Sequence, residues 1–95
     1  MSLESIENIE GQKGALRLLI YLNKVGKANM QRIVNETNLY ARIVKSSTTL
    51  LEKEGLVSTN IDHNSDPPKN MVSLTDKGKR IAEKMKEIND ILGSD

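Results

Sequence analysis

Residues Asn38 to Val57 read NLYARIVKSSTTLLEKEGLV, and this segment carries the strongest structural signal in the chain. On an α-helix, one side collects residues that can pack inward: Tyr40, Val44, Ser47, Thr48 and Leu51. The other side collects cations and small hydroxyls: Arg42, Lys45, Ser46, Thr49 and Lys53. Cations neutralise phosphates and small side chains allow close approach, so this side suits a nucleic-acid groove. The segment is a candidate recognition helix, although a mixed polar face can also be simply solvated.

The composition indicates one small domain with an aliphatic core. The chain has 95 residues, no Cys, Phe or Trp, and only two aromatic residues, Tyr21 and Tyr40. Such a core gains limited burial energy, which favours added contact with a second copy of the chain. The lack of cysteine excludes disulfides and thiolate metal sites, and no apolar run is long enough to cross a bilayer. We expect a soluble cytoplasmic protein that does not enter the membrane.

Charge is distributed unevenly along the chain, whose formal net charge is +1. Three of the 13 acidic residues lie among the first ten residues, which contain no Lys or Arg: Glu4, Glu7 and Glu10. The rest of the chain is therefore mildly basic, which is compatible with nucleic acid as a partner. The acidic leader also has apolar residues at intervals of three, which predicts a short amphipathic arm over residues 1–11: Leu3, Ile6 and Ile9.

The segment before the candidate recognition helix predicts two further helices. A mostly apolar run from Gln12 to Val25 predicts a buried central helix that ends at Gly26. Asn29 can cap a short helix of about two turns, and Asn38 can take the left-handed backbone of a tight turn. A short helix, a tight turn and a second helix form a helix-turn-helix arrangement.

The segment after Gly55 predicts a hairpin and a last helix. Leu56 to Ile61 and Asn70 to Leu74 read as strands around a polar loop stiffened by two prolines. Thr75 can cap a final helix over Asp76 to Leu92. Its apolar residues are spaced four, three and four apart, as in a coiled-coil seam: Ile81, Met85, Ile88 and Leu92. This stripe either closes the monomer's own core or, as we prefer, joins two subunits, because the helix is longer than a small core can cover.

The order of elements predicts a mainly α fold with a small β-hairpin, an α+β winged helix-turn-helix of order α-α-α-β-β-α with a long C-terminal helix. The segments LLEKEGLV, Leu50 to Val57, and VSLTDKGKRI, Val72 to Ile81, resemble winged-helix transcriptional regulators of the MarR and PadR kind. The pair Leu39 and Tyr40 and the compact length resemble small archaeal winged-helix DNA-binding proteins. The similarity extends over about residues 15 to 90.

The resemblance implies a role for each part of the chain. Leu39 to Lys53 is the recognition helix, Asp62 to Lys69 is the wing, and Asp76 to Leu92 is the dimerising helix. The corresponding organisation is an N-terminal arm over residues 1–11, a winged helix-turn-helix domain over residues 12–75 and a C-terminal dimerisation helix over residues 76–95. Asn38 stands where many relatives have glycine, and Tyr40 where a Ser or Thr often caps the recognition helix.

The wing departs from relatives that place arginine in the minor groove. It offers His63 and Lys69 against Asp62 and Asp66, and this near-neutral balance predicts weak contact with DNA. His63 is the only histidine and has no thiol or second nitrogen ligand to join it, so it reads as a solvent-exposed loop residue and not as a metal ligand.

Seven residues are the predicted DNA contacts: Arg42, Lys45, Ser46 and Thr49 on the recognition helix, Arg32 and Lys27 near the preceding helix, and Lys69 in the wing. Arg32 and Lys27 would bind backbone phosphate, or else lie solvated on the surface. Lys53 stands beside Glu52 and Glu54 and reads as a solvated charge. The predicted dimerisation residues are the four of the C-terminal stripe, Ile81, Met85, Ile88 and Leu92.

The sequence contains no pattern typical of an enzyme. It has no Ser-His-Asp or Cys-His set, no glycine-rich phosphate loop and no clustered carboxylates, so we expect neither catalysis nor a cofactor. We predict a homodimer that binds double-stranded DNA and regulates transcription, with no small-molecule ligand readable from the sequence. The alternative is a winged-helix protein-interaction module without DNA binding, which the near-neutral wing and low net charge favour.

Overall fold

The computed structural model describes residues 4–94, with side chains from residue 6 onward. Within this range the chain forms five helices and three strands. In chain order they are α1 (Glu4–Glu10), α2 (Ala15–Val25), β1 (Lys27–Asn29), α3 (Met30–Thr37), α4 (Ala41–Lys53), β2 (Val57–Asp62), β3 (Lys69–Leu74) and α5 (Asp76–Leu92). The mainly helical α+β fold expected from the sequence is confirmed. Leu3, the first of the three regularly spaced apolar residues of the predicted arm, lies outside the described residues.

Helix α2 forms the centre of the aliphatic core. Leu18, Leu19 and Leu22 are completely buried along one of its faces. The helix begins at Ala15 and not at Gln12 as expected, because Gly14 has a φ of 85° and so cannot continue a right-handed helix. The predicted central helix is thus confirmed, with its first residue corrected.

The turn between α3 and α4 has the predicted helix-turn-helix geometry. Asn29 caps α3 by accepting a hydrogen bond of 2.9 Å from the backbone N–H of Arg32. Asn38 has a φ of 61°, the left-handed conformation expected of it. The Thr37 hydroxyl accepts a hydrogen bond of 3.3 Å from the N–H of Leu39, which tightens the turn. The helices are therefore joined by side chains that satisfy the backbone groups at their ends.

Helix α4 is shorter at its start than predicted and ends where expected. It begins at Ala41 because Tyr40, the residue before it, has an extended backbone with φ −63° and ψ 147°. At its other end the N–H of Gly55 donates to the carbonyl of Glu52, and the N–H of Leu56 donates to the carbonyl of Leu51, at 3.0 and 2.8 Å. These paired bonds around a left-handed glycine are a Schellman motif, which ends the helix at this point.

The predicted hairpin belongs to a three-stranded antiparallel sheet of order β1-β3-β2. Strands β2 and β3 pair from Val57 opposite Leu74 to Asp62 opposite Lys69. Strand β1, which the sequence did not reveal, pairs Ala28 with Val72 on the other edge of β3. Its three residues are too few to show an alternating pattern, and only their pairing with β3 makes them a strand.

Helix α5 begins against the end of α4 and packs across α2. The Thr75 hydroxyl accepts a hydrogen bond of 3.0 Å from the N–H of Gly78, which confirms it as the cap. The N–H of Thr75 donates to the carbonyl of Leu56 at 3.0 Å, and Gly78 lies directly over that carbonyl. None of the helices described is long and apolar enough to cross a membrane.

Candidate nucleic-acid interface

The inner face of α4 is fixed to the core by packing and by one buried hydroxyl. Val44, Ser47 and Leu51 are completely buried on this face. The Ser47 hydroxyl donates a hydrogen bond of 2.9 Å to the carbonyl of Lys13 and accepts one of 3.4 Å from the side-chain amide of Gln12. The buried residues and the hydrogen bonds to the turn before α2 together fix the rotation of α4 about its own axis. The opposite face must therefore point outward.

The outer face of α4 carries the cations expected from the sequence. Arg42, Lys45, Ser46, Thr49 and Lys53 are all exposed. Within the described part of the chain, neither Arg42 nor Lys45 forms an ion pair, and the first turn of α4 has no acidic residue. Their charges are therefore not neutralised by nearby carboxylates. These two cations lie near the N-terminus of α4. The free backbone N–H groups of a helix also give this end a partial positive charge.

The hydroxyl of Ser46 is partly occupied by its own helix. It donates a hydrogen bond of 2.9 Å to the carbonyl of Arg42, one turn earlier. A serine hydroxyl has one donor and two acceptor positions, so Ser46 retains acceptor capacity toward solvent. Such a hydroxyl can accept a hydrogen bond from a base amino group. It is less suited to a phosphate, because phosphate oxygens accept hydrogen bonds and the single donor of Ser46 is already used within the helix.

Tyr40 is the residue that the sequence placed wrongly. It was expected on the packed side of the helix, but its side chain is 77% exposed. The residue precedes α4 with an extended backbone, so the angular spacing of helical side chains does not apply to it. Its ring lies at the start of the helix whose outer face carries Arg42. Tyr40 is therefore a further candidate contact residue, signalled in the sequence by the absence of a Ser, Thr, Asp or Asn cap.

Changing Tyr40 to serine is expected to stabilise the isolated protein by about 0.5 to 1 kcal/mol. Tyr40 makes no side-chain capping hydrogen bond to α4, whereas a serine hydroxyl at this position could accept one from the first turn. Urea unfolding measures the difference. Tyr40→Ala is the matched control, since it removes the ring without supplying an acceptor. Equal stability of the serine and alanine variants would contradict the capping explanation.

Arg32 belongs to a three-residue network that joins α2 and α3. Its Nε donates to Oε2 of Glu36 at 3.0 Å, and the hydroxyl of Tyr21 donates to Oε1 of Glu36 at 2.7 Å. Burial, reinforced by the hydrogen bond to Glu36, raises the pKa of Tyr21 to about 12. The hydrogen bonds from Tyr21 and Arg32 lower the pKa of Glu36. Glu36 is consequently ionised at neutral pH, and Arg32 is not the freely solvated cation considered from the sequence.

Arg32 and Lys69 line the same groove between α3 and the start of β3. The groove has a volume of about 550 Å³. Its lining is polar apart from Met30: Asn29, Gln31, Arg32, Asn35, Glu36, Lys69 and Asn70. Lys27 is exposed on β1 and does not line the groove. The structure thus brings together two of the three predicted cations outside α4.

One acidic side chain of the wing is hydrogen-bonded to residues at the tip of the wing. The Asp62 carboxylate accepts hydrogen bonds from the N–H of Asn64 at 2.9 Å and from the hydroxyl of Ser65 at 3.1 Å. These bonds lower the pKa of Asp62. His63 is exposed, and no group of metal-binding side chains occurs among the described residues. The wing therefore presents little positive charge of its own.

A separate apolar surface extends over α1, α2 and α5. Of the four predicted dimerisation residues, Ile81 and Met85 are half-buried, whereas Ile88 is 47% and Leu92 79% exposed. Two adjoining hollows of about 390 and 710 Å³ lie along this surface, and Leu16 lines both. The second half of the stripe on α5 therefore lies outside the monomer's own core. Leu16, Ile6 and Ile91 are exposed apolar residues of these helices that the spacing on α5 alone did not identify.

Fold and surface together define a winged helix-turn-helix protein. The second helix of its helix-turn-helix motif, α4, has an exposed face that carries cations. The family model described as "Winged helix DNA-binding domain" matches residues 15–92, and the chain belongs to this family. This membership confirms the resemblance to winged-helix regulators. The family is described as a DNA-binding domain and not as an enzyme.

Several solved structures share the fold. A transcriptional regulator homologue from Pyrococcus horikoshii OT3 is 27% identical, with 96% of this chain and 99% of that chain covered and a TM-score of 0.70. A protein from Archaeoglobus fulgidus is 24% identical, with 88% and 92% covered and a TM-score of 0.75. A protein from Enterococcus faecalis V583, named as a MarR-family regulator, is 21% identical, with 92% and 77% covered and a TM-score of 0.73. No curated protein sequence matches the chain.

Proposed function

We propose that the protein is a transcriptional regulator that binds double-stranded DNA as a homodimer, with α4 of each subunit in the major groove. The observation that carries the proposal is the outer face of α4, where Arg42 and Lys45 are exposed and unpaired within the described residues. A helix of this kind fits the major groove, where cations bind phosphate and guanine edges. The regulatory role is supported by the Pyrococcus horikoshii relative, which is described as a transcriptional regulator homologue.

The proposal gives each candidate residue a role. Five residues on α4 or directly before it contact bases or nearby phosphates: Arg42, Lys45, Ser46, Thr49 and Tyr40, whose side chain is exposed. Arg32 and Lys69 bind phosphate from the groove beside α3, and Lys27 binds it from β1. With so few cations, each subunit would make about 3 to 5 phosphate contacts, and affinity should depend moderately on salt. The proposal includes the cytoplasmic location expected from the sequence.

The homodimer is supported by the apolar surface on α1, α2 and α5. In this proposal residues 12–75 form the DNA-binding domain, residues 76–95 form the C-terminal dimerisation helix, and residues 1–11 form an arm. The four stripe residues are spaced four, three and four apart, so they lie on one face of α5: Ile81, Met85, Ile88 and Leu92. A pattern of this kind suits a two-fold contact in which the same patch on both subunits pairs with itself.

The alternative of a protein-interaction module predicts a different surface on α4. The near-neutral wing supports it, but Tyr40 is the only large apolar side chain exposed at or on α4 within the described residues. Protein-binding surfaces usually have an apolar centre depleted in charge. The polar, cationic face of α4 favours DNA. Apart from Ile61 on β2, the other exposed large apolar residues of the described chain lie on α1, α2 and α5.

Replacing Arg42 and Lys45 together with alanine is expected to weaken DNA binding by about 10- to 100-fold and to reduce the salt slope by about 2. Fluorescence anisotropy with a labelled duplex at several salt concentrations measures both quantities. The matched control is Lys79→Ala with Lys86→Ala, which removes two exposed cations from the flank of α5 away from the apolar stripe. If both double variants lose the same affinity, net charge and not α4 determines binding.

A further inference from the structure

We propose that Glu36, held in place by Tyr21, positions the guanidinium group of Arg32 to bind a backbone phosphate of duplex DNA. Glu36 and Tyr21 are thus positioning residues, and Arg32 makes the contact. This inference rests on the proposed function, because it specifies how one cation outside α4 contributes to DNA binding.

The hydrogen bonds leave the phosphate-binding side of Arg32 free. The carboxylate of Glu36 contacts only Nε of the guanidinium, at 3.0 Å. Among residues 6–94, no hydrogen bond or other ion pair occupies the two terminal nitrogens of Arg32. These nitrogens carry the N–H groups that pair with two oxygens of one phosphate. A guanidinium held at Nε can therefore present its terminal N–H groups to a phosphodiester.

The third member of the network distinguishes it from an ordinary surface ion pair. An exposed pair four residues apart on a helix contributes little, because two long side chains must be held in one geometry. Here Tyr21, from a different helix, donates to the other carboxylate oxygen at 2.7 Å. Both oxygens of Glu36 are thus occupied, so its carboxylate is restrained from two sides. Arg32 is preorganised, which reduces the ordering cost of binding.

The surroundings of Arg32 suit a phosphodiester. Arg32 lies in the first turn of α3 and lines the groove of about 550 Å³ that also contains Lys69. The other polar residues of the groove are amides, except for Glu36 itself. The amides can donate hydrogen bonds to phosphate oxygens. The carboxylate of Glu36 already accepts hydrogen bonds from Arg32 and Tyr21. Two cations and several amides line one open groove, which suits the negatively charged backbone of DNA.

Simple electrostatics and positioning predict opposite effects for Glu36→Gln. Removing a carboxylate near DNA reduces repulsion, so electrostatics alone predicts tighter binding. Positioning predicts weaker binding, because a neutral amide holds the guanidinium of Arg32 by a weaker hydrogen bond than the charged carboxylate does, even where its NH2 group donates to the Tyr21 hydroxyl. The sign of the change in affinity therefore distinguishes the two explanations.

The experiment is a double-mutant cycle on the full chain with a labelled duplex, measured across a salt series. Arg32→Ala is expected to weaken binding about tenfold and to reduce the salt slope by about 0.9. Glu36→Gln and Tyr21→Phe are each expected to weaken binding by about three- to tenfold, and neither should weaken it further in the Arg32→Ala background. Glu83→Gln, which removes an exposed carboxylate from α5, is the matched control and should not weaken binding. Circular dichroism of each variant verifies the fold.

The outcomes separate this inference from the function on which it rests. If the wild-type protein binds DNA but Glu36→Gln binds equally well or more tightly, positioning by Glu36 is wrong and the proposed function stands. Additive losses for Arg32→Ala and Glu36→Gln would also overturn it, because Glu36 would then act independently of Arg32. If the wild-type protein does not bind duplex DNA at all, the proposed function fails, and this inference fails with it.

Discussion

Replacing Gly78 with alanine is expected to destabilise the domain by about 3 kcal/mol or more. A Cβ atom at this position would overlap the carbonyl oxygen of Leu56 and lie 2.8 Å from its carbonyl carbon. The same carbonyl accepts the hydrogen bond from Thr75 at the start of α5, so it cannot move away without losing that bond. Helix propensity alone predicts the opposite sign, because alanine favours a helix over glycine by about 1 kcal/mol.

Two other glycines provide matched controls for Gly78→Ala. A methyl group on Gly11 would meet no described atom within 4 Å apart from its chain neighbours, and the φ of this residue is not positive. Gly11→Ala should therefore change the free energy of unfolding by only a few tenths of a kcal/mol, about the scale of a surface substitution. Gly55 also has free space but a φ of 76°, so Gly55→Ala should cost about 1 to 2 kcal/mol from backbone strain.

Urea unfolding of the three glycine variants measures their order of stability. We expect Gly11→Ala to be the most stable, Gly55→Ala to be intermediate and Gly78→Ala to be the least stable. Equal stability of the Gly78 and Gly11 variants would show that α5 shifts away from Leu56 freely.

Changing Ile88 to lysine is expected to convert the proposed dimer into monomers, with a dissociation constant raised about 100-fold or more. Ile88 lies in the apolar stripe of α5 and is 47% exposed in the single chain, so a lysine there costs the monomer little. In a dimer that covers the stripe, the ammonium group would lose water without gaining a partner. Sedimentation equilibrium over a range of protein concentrations measures the change.

The control for Ile88→Lys is Glu83→Lys, which introduces the same side chain, with a larger change in net charge, at an exposed position of α5 away from the stripe. This variant should sediment with the wild-type mass. Loss of the dimer should also weaken DNA binding, because two linked recognition helices bind with a higher effective concentration than one. Identical masses for Ile88→Lys and wild type would mean that the apolar surface does not form the subunit contact.

The local elements of the fold could be predicted because their signals lie within a few residues of one another. Asn29, Asn38, Gly55 and Thr75 act at helix ends through their own side chain or backbone conformation, and all four have the expected role in the structure. Helical spacing likewise placed Val44 and Leu51 inside and Arg42 and Lys45 outside. These assignments need no knowledge of distant parts of the chain.

Three of the features that the sequence missed depend on residues distant in the chain. Strand β1 exists only because it pairs with β3, and Gly78 is constrained only because α5 crosses the carbonyl of Leu56. The bond from Tyr21 to Glu36 likewise joins two different helices. No local periodicity encodes such contacts.

The sequence by itself thus determined the order of the helices and hairpin, the ends of most helices and the cationic face of α4, because hydrophobic spacing and capping act locally. Only the tertiary structure decided that Tyr21 holds Glu36 and that the apolar surface of α5 continues onto α1 and α2. The physical reason is that burial and hydrogen-bond partners depend on which elements pack together. That packing is a property of the whole aliphatic core and not of any single segment.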